Sequence, residues 1–134
     1  MTIATFADLL RAARQQPDPQ RLLFVFARAE LPDDASPEEI RRFESGRGGA
    51  LAPIMFVDKK PDDVRNFAEL VEESRHTGQA WDLVFVGCLG GRQGHEPGDD
   101  EAQQALEMMV KAVQGGNVGH LLAYRPSGEQ VAFS

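Results

Sequence analysis

The chain has 134 residues, 42% hydrophobic and 26% charged, which fits a single globular domain over residues 1–134 and excludes a low-complexity chain. A net charge of −7, with the whole deficit in residues 61–134, excludes the basic footprint that nucleic-acid binding requires, and no apolar run nears the roughly 20 residues that span a bilayer. The single cysteine, Cys88, excludes an intrachain disulfide, and the N-terminal stretch lacks a basic region followed by an apolar one, so the expected location is cytoplasmic.

The first helix starts at Thr5, with Asp8 as acidic partner three residues on and Phe6, Leu9, Leu10 and Ala13 as its apolar stripe. Pro17 and Pro19 end it. The first strand follows from Leu22 to Ala29. Its uninterrupted apolar core predicts layers on both faces, Phe24 and Phe26 toward one and Leu23 and Val25 toward the other. Ser36-Pro37-Glu38-Glu39 is a helix start with a capping box, Ile40 and Phe43 are that helix's anchors, and Gly46, Gly48 and Gly49 close it. The second strand spans Leu51 to Asp58. Pro53 cannot donate to a ladder and so belongs at the strand's start or on a sheet edge.

Pro61 opens the third helix, with Asp62 and Asp63 complementing its dipole, Val64, Phe67, Ala68, Leu70 and Val71 as its stripe, and Gly78 as its stop. The third strand runs from Asp82 to Leu89. A loop over 90–98 leads to a fourth helix with Ala102, Ala105, Leu106, Met109, Val110 and Val113 on one face. Met108 and Met109 there read as core filler rather than a cofactor box. Gly115 and Gly116 end this helix. His120 to Tyr124, a turn at Arg125-Pro126-Ser127-Gly128, and Gln130 to Phe133 form a C-terminal hairpin. Apolar runs alternating with helical segments predict an α/β sandwich of about five strands, parallel at its centre and antiparallel at this hairpin.

Chemical motifs are sparse. Gly90 suits a nucleophile elbow around Cys88, but Val86 does not, which leaves the cysteine as a small hydrophobe. The loop from Gly87 to Gly94 lacks the lysine of a phosphate loop, and no frame supplies the dinucleotide glycine spacing. His76, His95 and His120 share no metal-ligand spacing, so neither metal nor cofactor is expected. A positional argument remains. In open parallel sheets, ligands bind outside the carboxyl ends of strands. That places a candidate ligand site at Arg28, Asp58, Gly90, Gly91, Arg92 and His95, where arginine forks and glycine amides would meet an anion.

Three stretches, Arg21 to Pro32, Gly48 to Asp58, and Leu70 to Ser74 with Trp81 to Val86, resemble a family of small uncharacterised proteobacterial proteins sometimes labelled ribonucleotide reductase subunit alpha. The resemblance covers most of the chain and implies a compact domain with these boundaries. It carries over no catalytic residue, because that reductase chemistry needs several redox cysteines. The expected function is a small binding or accessory module without catalysis of its own, with a protein or small-molecule partner and neither nucleic acid nor membrane. The alternatives are a small enzyme using Cys88 or His95, or an accessory factor linked to nucleotide reduction.

Overall fold

The computed structural model describes residues 5–31, 33–44 and 50–132, with side chains omitted at 43 and 44. Helix α1 (Phe6–Arg14) leads into strand β1 (Gln20–Glu30), and α2 (Pro37–Glu44) precedes β2 (Ala50–Lys59). A 3-10 turn, Pro61–Asp63, and α3 (Phe67–Arg75) lead to β3 (Leu83–Gly90). Then come α4 (Asp99–Gln114), β4 (Leu122–Tyr124) and β5 (Gln130–Val131).

The five strands form one sheet in the order β2-β1-β3-β4-β5. Every pairing is antiparallel, which corrects the expected parallel centre. The reason is physical. A strand apolar on both faces reports that both faces are covered, and says nothing of the direction of its neighbours. The β1–β2 connection is not a crossover packed on the sheet: the side chains described on α2 are exposed, including Ile40 at 37%. Ile40 is therefore not the anchor its spacing predicts, and Phe43 lies outside the described side chains. The closing glycines Gly46, Gly48 and Gly49 lie outside the described residues altogether.

The layers around β1 follow its alternation. Leu22, Phe24 and Phe26 pack with Phe6, Leu9, Leu10 and Ala13 of α1, with Leu70 of α3, and with Val64 and Trp81. Leu23, Val25 and Ala27 pack with Leu106, Met109 and Val113 of α4. The predicted split of the phenylalanines from Leu23 and Val25 is what is found. Burying each of these larger side chains is worth about 1.5–3 kcal/mol, so β1 is the energetic centre of the sheet. Met109 is in the core, but Met108 is 72% exposed, on the outer side of α4.

Local chemistry fixes the helix starts. Thr5 and Asp8 exchange the two hydrogen bonds of a capping box, Thr5 Oγ1 accepting at 3.1 Å and Asp8 Oδ2 at 3.2 Å. Pro61 opens only the 3-10 turn. Val64 then goes extended, and α3 begins afresh at Asn66, whose Oδ1 accepts from the Glu69 amide at 2.8 Å. The predicted stripe from Val64 to Val71 is therefore broken: Val64, in the extended link, and Leu70 of α3 are buried, Phe67 and Val71 are half-buried, and Ala68 is exposed rather than part of the apolar face. β5 is shorter than expected, and Phe133 lies outside the described residues. Among the described residues, no helix is long and apolar enough to cross a membrane.

Candidate functional site

The antiparallel order separates the residues that a parallel sheet would have gathered. β1 starts where β2 and β3 finish, so Asp58, Gly90, Gly91, Arg92 and His95 lie at one end of the sheet. Arg28 lies near the other end, seven residues along β1 from Arg21, or about 23 Å at 3.3 Å per residue. There Arg28 is engaged with backbone, its Nε and Nη2 donating to the Ala80 carbonyl at 3.2 and 2.9 Å.

The first end is held by a residue that sequence reasoning passed over. Arg21 is buried at the start of β1, and its Nη1 donates to Asp58 Oδ2 at 3.0 Å and to Asp99 Oδ1 at 2.9 Å. One guanidinium thus ties β1, β2 and the first turn of α4. The hydrogen bond to Asp99, then attraction and hydrogen bonding to Asp58, hold its pKa above the ordinary arginine value, against the opposing desolvation. The glycine loop is equally committed. Gly91 N–H donates to the Pro19 carbonyl at 2.8 Å, Gly94 N–H to Asp18 Oδ1 at 2.8 Å, and Arg92 and His95 exchange backbone bonds at 3.0 and 2.8 Å. These amides are spent inside the fold and stitch the loop to the end of the sheet.

Cys88 is exposed on β3, opposite Leu22. The surrounding protein withholds solvent from the thiolate and raises the thiol pKa, the reverse of what an activated nucleophile requires. Among the described residues no group of three His, Cys, Asp or Glu side chains could hold a metal ion.

A different concavity has the character of a binding site. β2 is the terminal strand of the sheet, and its outer edge pairs with no strand among the described residues. Pro53 sits on this edge, at the bulge where Phe26 faces Met55 and Ala27 faces Pro53, leaving Ile54 as the extra residue. Proline and a bulge are two devices that blunt a strand edge. Both lie in the first half of β2. Beside the second half lies a pocket of about 210 Å³. Met55, Phe56, Val57 and Lys59 line it from β2, Leu70, Glu73 and Ser74 from α3, and Phe26 and Thr77 complete it.

The polar groups here are satisfied locally. Ser74 Oγ donates to the Val71 carbonyl at 2.6 Å and accepts from Trp81 Nε1 at 2.8 Å, while Thr77 Oγ1 donates to the Ser74 carbonyl at 2.7 Å. Lys59 Nζ meets Glu73 Oε1 at 2.8 Å and joins strand to helix across the pocket. Phe56, 48% exposed, stands at the mouth beside the exposed Glu73 and Thr77. A sequence signal for this groove existed. Pro53 marked an edge strand, and Met55-Phe56-Val57 is apolar on consecutive positions, so one of its faces had to meet something other than the sheet's own core.

No family model, curated protein or solved structure matches the chain. The family resemblance therefore rests on its three stretches alone.

Proposed function

We propose that the protein is a binding module without catalysis of its own, and that it takes an extended segment of a partner protein onto the free edge of β2. The observation that carries this reading is the juxtaposition of a strand edge, Met55–Lys59, that pairs with no strand among the described residues, with an apolar pocket between that edge and α3. An added strand would satisfy the outward backbone groups of β2 and place an apolar side chain in the pocket, so backbone supplies affinity and the pocket supplies selection. Phe56 would supply apolar contact at the rim. The raised thiol pKa of Cys88 supports the same reading against the enzymatic alternative, because at neutral pH the group stays protonated.

The test is selection of peptides from a displayed random library on the purified protein. The expected peptides alternate apolar and polar residues, change the fluorescence of Trp81, and bind Phe56→Lys much more weakly. Trp81 is the only tryptophan of the chain and stacks edge-on against Phe26 of the pocket at 5.1 Å. Failure to enrich any peptide, or peptides that bind Phe56→Lys unchanged, would overturn the reading.

A further inference from the structure

A concavity of about 610 Å³ lies between α1, the start of α3 and the β4–β5 turn, away from the groove beside β2. Its accessible apolar surface comes chiefly from the half-buried Phe67, backed by Phe6 and Leu10, which are only 4% and 3% exposed. Phe6 and Phe67 meet edge to face at 5.3 Å, and both rings rest against the buried ring of Tyr124 at 5.7 and 5.8 Å. The floor is therefore a rigid aromatic surface rather than a flexible one. Gly128 brings the β4–β5 turn directly over it, since a Cβ at that position would lie 3.7 Å from the Phe67 ring.

The polar part of the wall has one sign. Arg11, Arg14 and Arg65 line the cleft, and among the described residues no carboxylate residue lines it, on a chain whose net charge is −7. The arginines come from two elements. Arg11 and Arg14 stand one turn apart on α1, and Arg65 immediately precedes Asn66, the cap of α3. Arg14 is fixed in place, its Nη2 donating to the Pro61 and Val64 carbonyls at 3.2 and 3.3 Å. The carboxylates that attend the three lie outside the cleft, at single-contact distances of 3.3 Å for Asp8 to Arg11, 3.8 Å for Asp62 to Arg14 and 3.5 Å for Glu69 to Arg65. A guanidinium carries five donors in a planar fork, so such a contact leaves most of the capacity of Arg11 and Arg65 unused, while Arg14 also spends Nη2 on the two carbonyls. Exposed pairs of this kind are weak enough to share or exchange partners. The positive end of the α3 dipole, at Asn66, adds to the same field.

We infer that this cleft binds an organic anion with an apolar body: a carboxylate, phosphate or sulfate head against Arg11, Arg14 and Arg65, and a hydrocarbon or aromatic tail against Phe67, with Phe6 and Leu10 behind it. The volume suits a small molecule rather than a protein segment, within the usual range of roughly 300–1,000 Å³ for ligand pockets. Forked donors suit a head with two or three equivalent oxygens, which a carboxylate and a phosphate share.

The experiment is a titration of the isotope-labelled chain with octanoate, octyl phosphate and uncharged octanamide, followed by amide chemical shifts. The two anions are expected to move the amides of Asn66, Phe67 and Gly128. Octanamide, which lacks the charge, is expected to bind at least about tenfold more weakly. Added salt is expected to weaken the anions and leave octanamide unchanged. Tighter binding of octyl phosphate than of octanoate identifies a phosphate ester as the natural head, and the opposite order a carboxylate. Arg11→Gln with Arg65→Gln is expected to lower affinity for the anions roughly tenfold and leave octanamide unaffected. Arg65, 84% exposed, can be replaced alone if the double variant loses its native spectrum. Equal affinity for octanoate and octanamide, shifts confined to the β2–α3 groove, or unchanged anion binding by an arginine variant that keeps its native spectrum would overturn the inference.

Discussion

Replacing Tyr124 by phenylalanine should make the protein more stable. Tyr124 is fully buried at the end of β4, and its hydroxyl is a buried polar atom with no hydrogen-bond partner among the described residues. Burial raises its pKa above the ordinary tyrosine value, with negative charge at Asp8 and then Cys88 adding to the effect. Leaving a buried hydroxyl unmatched costs about 1–3 kcal/mol relative to water, where it was solvated. Removing the oxygen forfeits a few dispersion contacts of about 0.1–0.2 kcal/mol each. The ring itself stays, so its edge-to-face contact with Phe6 survives. The balance is a gain of about 1 kcal/mol. In urea, with a slope of about 2 kcal/mol per molar, the midpoint should rise by roughly 0.5 M. In a thermal scan the melting temperature should rise by about 3–5 °C. Equilibrium urea unfolding followed by Trp81 fluorescence measures it. A loss of about 1 kcal/mol or more would refute the reasoning, since it would mean that the hydroxyl has a partner in the folded protein.

Arg21→Met keeps the aliphatic bulk at the start of β1 and removes both carboxylate contacts. Asp99 is 96% exposed and its contact is discounted accordingly, so the loss should be about 2 kcal/mol, read as a lower urea midpoint with unchanged slope. Gly91→Ala should cost about 2–3 kcal/mol and disorder the loop over 90–98, because the new Cβ would collide with the His95 carbonyl and press on the Pro19 carbonyl. Amide exchange at Gly94 would show the release, and a variant with native exchange there would contradict it. Iodoacetamide should alkylate Cys88 more slowly in the folded protein than in urea at neutral pH, since the surrounding protein withholds solvent from the thiolate of this exposed residue and raises the folded thiol pKa above its unfolded value. The neutral thiol's contribution to stability is present below the unfolded pKa and is lost as pH rises through the folded one. Faster alkylation of the folded protein would reverse the assignment.

How much of this was legible depended on what each residue reports. Thr5 with Asp8 set the start of α1, and the period of α4 set its buried face, because capping and amphipathicity are local. The run from Leu22 to Ala27 correctly reported two covered faces. It could not report strand direction, because that depends on how connections such as 31–49 turn back. The error in direction then scattered the expected site, sending Arg28 to one end of the sheet and Asp58 with the glycine loop to the other. Arg21 was missed because a charge beside an apolar run reads as a boundary, although this one is buried and paired with two carboxylates. The arginine cleft was illegible for another reason: Arg11 and Arg14 belong to α1 and Arg65 to the extended link before α3, and only the packing of α1 beside the start of α3 brings them together.

Residue-resolved hydrogen exchange across β2 tests the proposed docking edge most directly. In the free protein, amides between Met55 and Lys59 that point away from β1 should exchange fast while their neighbours, bonded to β1, exchange slowly. With a selected peptide bound, the fast set should become protected and the slow set should stay as it was. Protection of the whole edge in the free protein, or no gain in protection on binding, would contradict the account.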